Sequence, residues 1–274
     1  MFGEMFKNVY EKSPIVHCIT NYVTVNDVAN IILASGASPI MADDIGEVSD
    51  ITSICNSLVI NIGTLNSRTI ESMMEAGKAS NKLVHPIVLD PVGVGASKLR
   101  METTLGLLDE VEFSVIKGNA SEIKAIVNQT KTASGVDVSL EDIIDENNID
   151  KYIDIAKSLS KANSTVVAIT GPIDIITNGE KTYLIRNGHG NMEKITGTGC
   201  MLSGLIGGYI GANPDNILES TTVAIAAMGL CGELANHKVG EGGLGTGSLR
   251  TYLIDFMSNL DEETLMGGIK IESR

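Results

Sequence analysis

The chain has 274 residues, of which 34 are acidic and 20 basic, for a formal net charge of −14. This length suffices for one large α/β domain with a substantial core. No Pro-, Ser- or Gly-rich linker divides it, so a single domain over residues 1–274 is predicted. The charge excludes a nucleic-acid partner, because binding a phosphate backbone needs a basic surface. The exclusion concerns large polyanions only, since a local pocket of amides and one lysine can still bind a small phosphate.

The cysteines and the N-terminus indicate a cytoplasmic protein without a membrane partner. The four cysteines form no CxxC pair and no His/Cys metal spacing, and a disulfide framework is unusual in a chain of this size. Residues 1–14 carry scattered charges and no continuous apolar segment, unlike a signal peptide. The longest apolar run, residues 201–212, is short and glycine-rich, which suits a buried helix better than a membrane span.

Short β-rich runs alternate with helical patterns along the first 170 residues. This alternation is typical of βαβ units and predicts a mainly parallel sheet with helices on both faces. The predicted strands are residues 15–20, 39–42, 58–62, 87–90, 113–117 and 165–170. The predicted helices between them are residues 26–35, 67–80, 121–128 and 152–161.

The pattern changes after residue 170. Residues 174–177 and 182–186 predict a hairpin, because Asn178-Gly179 supplies the positive φ angles of a type I′ turn. The last third is glycine-rich and helical, and its predicted helices are residues 201–210, 214–237 and 247–260. The polar segment 130–148 is expected to be a surface excursion.

Functional-looking side chains stand at the ends of the predicted strands, where ligands bind in open α/β sheets. Asp90, Lys117 and Thr170 each end a strand, and Glu122 lies in the helix after Lys117. Structural alternatives exist for the charged residues: Asp90 as a turn former, Lys117 as a solvated strand end, and Glu122 as the acid of a capping box.

Together with the loop at residues 196–200, these strand-end residues favour phosphoryl transfer as the function. A loop of small residues entering a helix presents unpaired amides and the positive end of a dipole, which stabilise anionic charge. Asp90 and Glu122 can hold Mg²⁺ through water, while Lys117 and Thr170 contact phosphates. Phosphoryl transfer needs mostly such positioning and charge neutralisation. No Walker A pattern is present, so this is not a P-loop enzyme.

These motifs resemble those of a known family. GTGC at residues 197–200 is similar to the anion hole of ribokinase-like kinases, in the variant of the vitamin-kinase branch. VHCITNYVTVNDVANIILASGASPIMADD, LDPVGVGAS, IKGNASEI and AITGPIDII follow in the order of the hydroxyethylthiazole kinase signature. The resemblance runs from about residue 13 to 253. It implies a ribokinase-like α/β fold without a separate lid, and transfer of the ATP γ-phosphate to the primary alcohol of 4-methyl-5-(2-hydroxyethyl)thiazole for thiamine salvage.

The resemblance also implies roles for individual residues. On the acceptor side, Met41 and the backbone of Gly197 contact the thiazole and Asn21 lines its pocket. On the nucleotide side, Lys117 and Thr170 bind ATP. Many relatives have arginine at position 117, so the lysine keeps the charge but loses the bidentate fork, which predicts weaker nucleotide affinity.

The resemblance also has implications for the metal site, the anion hole and the assembly. The residues that match Mg²⁺ positions are Asp90 and Glu122. The amides of the anion hole belong to Gly197, Thr198, Gly199 and Cys200. A neighbouring subunit takes the place of the absent lid, which implies a homotrimer with its sites at the subunit interfaces.

The thiol of Cys200 is the candidate catalytic base. Thiol pKa values fall at helix N-termini, so a partly ionised Cys200 is expected to accept the proton of the substrate hydroxyl. The alternative is that Cys200 only fills the position of the aspartate found in most of the superfamily. Phosphoryl transfer needs little help from a base, which keeps this alternative open.

Three other functions compete with this interpretation. A hydroxymethylpyrimidine kinase shares the chemistry, but the ITNYVTVND and PIMADD segments argue against it. A catalytically silent nucleotide-binding protein on the same fold is disfavoured by the intact site motifs. The interpretation as a dinucleotide-dependent oxidoreductase is excluded. The glycine-rich segment 240–250 has no preceding strand and no acidic residue downstream to bind the ribose.

Overall fold

A single sheet runs through the structure, a computed structural model that describes residues 1–130 and 144–274. Most of the predicted surface excursion, residues 131–143, lies outside these ranges. All six predicted parallel strands are present, with ends shifted by up to two residues. Within the described ranges the strands are β1 (Ile15–Ile19), β2 (Ser38–Met41), β3 (Ser57–Asn61), β4 (Ile87–Asp90), β5 (Val115–Asn119), β6 (Val166–Thr170), β7 (Asp174–Thr177), β8 (Thr182–Ile185) and β9 (Ile271–Ser273).

The sheet order is β2-β1-β3-β4-β5-β6-β7-β8-β9. The strands from β2 to β6 pair in parallel, and β7, β8 and β9 continue the sheet antiparallel. The prediction of a mainly parallel sheet is confirmed. The register pairs Asn61 with Asp90 and Asn119 with Thr170, so polar residues that end neighbouring strands stand level with each other.

Helices cover both faces, as predicted. In the described ranges they are α1 (Phe2–Lys12), α2 (Val25–Ala34), α3 (Val48–Ile54), α4 (Ser67–Lys82), α5 (Lys98–Glu110), α6 (Ala120–Thr130), α7 (Ile149–Asn163), α8 (Thr198–Ala212), α9 (Ile217–Gly242), α10 (Thr246–Ser258) and α11 (Glu262–Gly268). The sequence analysis missed α1, α3, α5, α11 and β9. In α5 the apolar residues are not gathered on one side, so the helical period is absent from its sequence.

Two hydrophobic clusters form the core, one on each face of the sheet. Successive residues of a strand point to opposite faces, and β3 illustrates this: Val59 packs into one cluster, while Leu58 and Ile60 pack into the other. Helices α1, α2, α8, α9 and α10 supply the first cluster, and α4 to α7 supply much of the second. The strands are therefore apolar on both faces, as buried parallel strands are.

The predicted hairpin is present, but its turn is longer than expected. Thr177 pairs with Thr182, so four residues form the loop, and only Gly179 among them has a positive φ, 89°. The side chain of Asn178 accepts hydrogen bonds from the amides of Glu180 and Lys181. Asn178 thus stabilises the turn through its side chain rather than through a left-handed backbone, and the type I′ assignment is wrong.

Helix α9 is longer and more apolar than the sequence analysis expected. It is the one helix of the described residues that is long and apolar enough to cross a membrane, and 78% of its most apolar window is buried inside the protein. The sequence analysis, which took residues 201–212 as the longest apolar run, did not anticipate this helix. Burial in the core accounts for the apolar composition.

Glycines let α8 lie close to the sheet and to α2. A Cβ atom on Gly207 would stand 2.6 Å from Val59 and 2.9 Å from Val16, and one on Gly204 would stand 2.8 Å from Val28. The first turn of α8 forms part of the candidate site, so this close approach also fixes the position of that turn.

We expect Gly207→Ala to destabilise the protein by about 1–3 kcal/mol through overpacking, despite the better helix propensity of alanine. Gly106→Ala in α5 is the matched control, because a Cβ there has no atom within 4 Å. It should stabilise by roughly 0.5–1 kcal/mol. Urea denaturation of both variants measures the difference, and equal effects would contradict the close approach.

Candidate active site

The candidate site lies at the carboxyl edge of the parallel strands. Asn61, Asp90 and Asn119 end β3, β4 and β5, Thr170 ends β6, and Asn21 lies two residues beyond the end of β1. Parallel strands all present their carboxyl ends to one edge, which is where ligands bind in open α/β sheets. The prediction of functional residues at this edge therefore has a structural basis.

Asp90 is the central charge of this edge and is fully buried. Its Oδ1 accepts a hydrogen bond from Lys117 Nζ at 3.0 Å. Its Oδ2 accepts from Asn61 Nδ2 at 2.6 Å and from Ser203 Oγ at 2.7 Å. A buried carboxylate is tolerated only when paired and hydrogen-bonded in this way. Asp90 is therefore more than a turn former, because it joins β3, β5 and α8.

Lys117 is buried, with 3% of its surface exposed, so its interpretation as a solvated strand end is wrong. Its ammonium also donates to the carbonyl of Gly199 at 3.0 Å and to Ser203 Oγ at 3.3 Å. Burial acts to lower the pKa of Lys117, but the negative charges of Asp90 and Glu122 outweigh it and the pKa is raised. The ammonium of Lys117 therefore contacts the first turn of α8 from the side of the sheet.

Glu122 forms the capping box that the sequence predicts as its structural role. The Glu122 amide donates to Asn119 Oδ1 at 2.9 Å, and Glu122 Oε2 accepts from the Asn119 amide at 2.8 Å. The other oxygen, Oε1, accepts from the amide of Gly93 in the loop after β4, at 2.8 Å. Burial and the charge of Asp90 raise the pKa of Glu122. Glu122 thus joins two loops of the site as well as capping α6.

Asp90 and Glu122 are the two acids that the family resemblance assigns to a metal. Across residues 1–130 and 144–274, no group of three or more His, Cys, Asp or Glu side chains could hold a metal by itself. The charge of Asp90 acts on Glu122, so the two carboxylates are near each other, and Asp90 Oδ1 and both oxygens of Glu122 each accept only one hydrogen bond from the residues that the structure describes. This donor set suits an ion such as Mg²⁺, which takes most ligands from water and phosphate.

The first turn of α8 is an uncapped helix N-terminus. Gly197 is its N-cap with φ 85°, and no side chain caps it. A Cβ on Gly197 would stand 2.4 Å from Thr24 Cγ2, so both the backbone angle and the close contact require glycine. The amides of Thr198, Gly199 and Cys200 have no acceptor within the helix, because the first such bond runs from Met201 to Gly197. They form a site for anionic charge.

The thiol of Cys200 lies inside this turn and is 7% exposed. Asn61 Nδ2 donates to its Sγ at 3.2 Å, and Asn21 Nδ2 lies 4.0 Å from it. Burial and the charge of Asp90 raise the pKa of Cys200, although hydrogen bonds from Thr24 and Asn61 oppose this. The expectation of a partly ionised thiol is therefore wrong for the free protein, because burial outweighs the helix N-terminus.

A cavity of about 590 Å³ adjoins the outer side of the same turn. Thr170, Thr198 and Gly199 line it, together with Asp174 and His189. Its size is that of a small-molecule site. Lys117, Asp90 and Cys200 are not among the residues that line it.

Met41 occupies the end of β2, beside β1, and is partly buried against the cluster that contains Cys200. It therefore lies at the same edge as Asn21.

Sequence analysis missed several residues of the site. Asn61 and Ser203 are ordinary polar residues distant in sequence from Asp90, and no local pattern marks them. Arg100 of α5 donates to the carbonyls of Ile62, Gly63 and Val92, and so ties the loops after β3 and β4 together. Since α5 itself was not predicted, neither was Arg100.

Comparison with solved structures defines the class of fold. A ribokinase-like superfamily protein from Enterococcus faecalis superposes with a TM-score of 0.63, covering 94% of this chain and 89% of the other at 11% identity. This likeness shows the fold alone, and it confirms the predicted ribokinase-like architecture.

The family follows from closer relatives. A model of the hydroxyethylthiazole kinase family matches residues 6–263. A hydroxyethylthiazole kinase from Clostridium acetobutylicum is 55% identical over 273 residues, covering the whole of both chains. The solved structure of the hydroxyethylthiazole kinase protein from Pyrococcus horikoshii OT3 has a TM-score of 0.88 at 33% identity, covering 100% of this chain and 98% of that one. The chain belongs to the hydroxyethylthiazole kinase family, as its motifs predicted.

The buried carboxyl of Asp174 makes stability depend on pH. Burial raises its pKa to about 7, even though the amide of Gly171 donates to it. The native state therefore keeps a proton that the unfolded chain releases near its ordinary pKa, so stability is lost as pH rises from about 4 to about 7. Asp174→Asn keeps an oxygen that can accept the hydrogen bond from the Gly171 amide. We expect this variant to be more stable than the wild type at about pH 8, by up to roughly 4 kcal/mol.

Urea denaturation at several pH values measures this difference. Asp261→Asn is the control, because Asp261 caps α11 at the surface and its pKa is lowered by hydrogen bonds from Thr264. It should not gain stability at high pH. Parallel pH profiles for wild type and Asp174→Asn would contradict the buried neutral carboxyl.

Proposed function

We propose that the protein transfers the γ-phosphoryl group of ATP to the primary hydroxyl of 4-methyl-5-(2-hydroxyethyl)thiazole. The observation that carries the proposal is the uncapped first turn of α8, which has a nucleotide-sized cavity on one side and the thiol of Cys200 at its end. Membership of the hydroxyethylthiazole kinase family supports the acceptor. In the reaction, the bond from the γ-phosphorus to the β,γ-bridging oxygen breaks as the alcohol oxygen bonds to phosphorus.

The acceptor side consists of Asn21, Met41, Gly197 and Cys200. Asn21 and Cys200 are close to each other, which supports a thiazole alcohol bound between β1 and the first turn of α8. Sγ of Cys200 is the proposed acceptor of the hydroxyl proton, a role that requires the thiol to have released its own proton to solvent first. Asn61 and Thr24 stabilise the thiolate by donating hydrogen bonds to it. The alternative is that Cys200 only fills space, because a loose transition state needs little base.

The nucleotide side is the cavity that Thr170 lines. Thr170 contacts ATP there, and the amides of Thr198, Gly199 and Cys200 receive the charge of the transferred group. Asp90 and Glu122 are the residues that would hold Mg²⁺, through its water shell. When bound, the ion supplies neutralisation of phosphate charge. The γ-phosphate and the alcohol oxygen are therefore proposed to meet at the amides that open α8.

The assembly proposed for the protein is a cytoplasmic homotrimer with sites at the subunit interfaces and no separate lid. Tyr22 and Val23 directly follow Asn21, and 72% and 61% of their surfaces are exposed in the single chain. Large apolar side chains at the rim of a site support a neighbouring subunit that covers it. Light scattering measures the mass, and a monomer at assay concentration would contradict the trimer.

The experiment that tests the function is an Mg-ATP assay that couples ADP release to absorbance and compares the thiazole alcohol with hydroxymethylpyrimidine. We expect thiazole-dependent ADP release and little with the pyrimidine. Preference for the pyrimidine would indicate a hydroxymethylpyrimidine kinase. No turnover of either, with ATP still bound, would indicate a silent nucleotide-binding protein.

Replacing the thiol separates its two candidate roles. Cys200→Ala should lower kcat by more than about tenfold if Sγ takes the proton, because proton transfer to a positioned base contributes at least this much. Cys55→Ala is the matched control, since Cys55 is a buried thiol at the end of α3 and should leave kcat unchanged. A loss below about threefold for Cys200→Ala would leave Cys200 as a space-filling residue.

A further inference from the structure

His17 is a fully buried side chain that the proposed reaction does not use. It lies on β1, and its Nε2 stands 2.9 Å from the carbonyl oxygen of Ala42, the first residue after β2. A carbonyl oxygen only accepts hydrogen bonds, so Nε2 carries a hydrogen and donates it. Burial lowers the pKa of His17, so the ring is neutral and the Ala42 carbonyl fixes its tautomer.

The second ring nitrogen joins His17 to α3. Nδ1, an acceptor in this tautomer, lies 3.0 Å from Oγ1 of Thr52, which is itself buried. The same hydroxyl lies 2.7 Å from the carbonyl of Val48, so its single proton can serve either acceptor. Through its two nitrogens His17 therefore connects β1 with the loop after β2 and with the helix that follows that loop.

The Ala42 carbonyl lies where β2 ends at the carboxyl edge of the sheet. In the sheet of the described residues β2 is an edge strand beside β1, and the last pair of their register is Cys18 with Met41. An edge strand has one row of backbone groups without a partner strand. The bond from His17 to Ala42, one residue beyond that last pair, therefore holds the end of β2 where the ladder has stopped.

We propose that His17 is a positioning residue for the acceptor, which keeps Met41 in place against the thiazole ring by holding the Ala42 carbonyl. The proposal rests on the proposed function, in which Met41 contacts the thiazole. A contact with the ring, away from the hydroxyl that reacts, contributes equally to binding the ground state and the transition state. Loss of the bond to Ala42 therefore weakens binding of the thiazole alcohol and leaves kcat and ATP affinity unchanged.

Two substitutions at His17 separate its two hydrogen bonds. The amide of His17→Gln reaches the place of Nε2 and can donate to Ala42, whereas the shorter amide of His17→Asn stands near the place of Nδ1 and cannot. Calorimetry on the full chain measures Kd for the thiazole alcohol and for Mg-ATP.

We expect His17→Asn to raise Kd for the thiazole alcohol about five- to tenfold, as the loss of one hydrogen bond implies. Its Kd for Mg-ATP and its kcat should stay within about threefold of wild type, and His17→Gln should restore the Kd for the alcohol. Equal increases in the two variants, or an unchanged Kd in His17→Asn, would overturn the proposal.

Thr52→Val is the matched control, because it removes the partner of Nδ1 and leaves the bond from His17 to Ala42 in place. It should lower the free energy of unfolding in urea without changing Kd for the alcohol. A Kd raised as much as in His17→Asn would show that any loosening of this region has the same effect, and would overturn the proposal.

A double variant tests whether His17 acts through Met41. Met41→Ala should raise Kd for the alcohol, and adding His17→Asn to it should raise Kd no further, because residues that act through one contact are not additive. Single effects that multiply, or a Met41→Ala protein with the wild-type Kd, would overturn the proposal.

Two provisions keep the test decisive. If His17→Asn does not fold, His17→Phe, which keeps a planar ring and has no donor, is judged by the same criteria. Calorimetric Kd does not require phosphoryl transfer, so a wild type that binds the thiazole alcohol but does not phosphorylate it contradicts the proposed function alone. A wild type that does not bind the alcohol would overturn both.

Discussion

The carboxylate of Asp90 is fully removed from solvent and accepts hydrogen bonds from β3, β5 and α8 at once. Desolvation of this charge is tolerated only because Lys117, Asn61 and Ser203 satisfy it together, and losing one partner of such a pair costs about 3–5 kcal/mol. Because the three partners come from different elements, their common acceptor fixes how the first turn of α8 meets the strand ends. The positions of Cys200 and of the anion-binding amides follow from this one constraint.

The same turn of α8 divides the site into two environments. Its outer side faces a cavity lined by polar and apolar side chains and by the acids Asp174 and Glu193, while its inner side contacts the pair of Lys117 and Asp90. The glycines of α8 make this arrangement possible, since side chains at Gly204 or Gly207 would push the helix away from α2 and the sheet. Amides held rigidly before the reaction need no reorganisation when charge develops, which is how such sites stabilise a transferring phosphoryl group.

Sequence reasoning predicts the strands and the strand-end residues well, because buried parallel strands and helix-opening glycine loops have strong local patterns. It misses α5, whose apolar residues lack the helical period, and with it Arg100. It also misses Asn61 and Ser203, which matter only through contacts with Asp90 across 29 and 113 positions of the chain. The prediction that Cys200 is partly ionised was wrong for a related reason. The helix N-terminus is visible in the sequence, whereas the burial and the charge of Asp90 that outweigh it are not.

The most direct test of this account is a crystal structure of the protein with Mg²⁺, a non-hydrolysable ATP analogue and the thiazole alcohol. We expect the terminal phosphate within hydrogen-bond distance of the amides of Thr198, Gly199 and Cys200, with the nucleoside in the cavity beside Thr170. The alcohol oxygen should lie nearest to Sγ of Cys200. Phosphates bound away from the first turn of α8 would contradict the account.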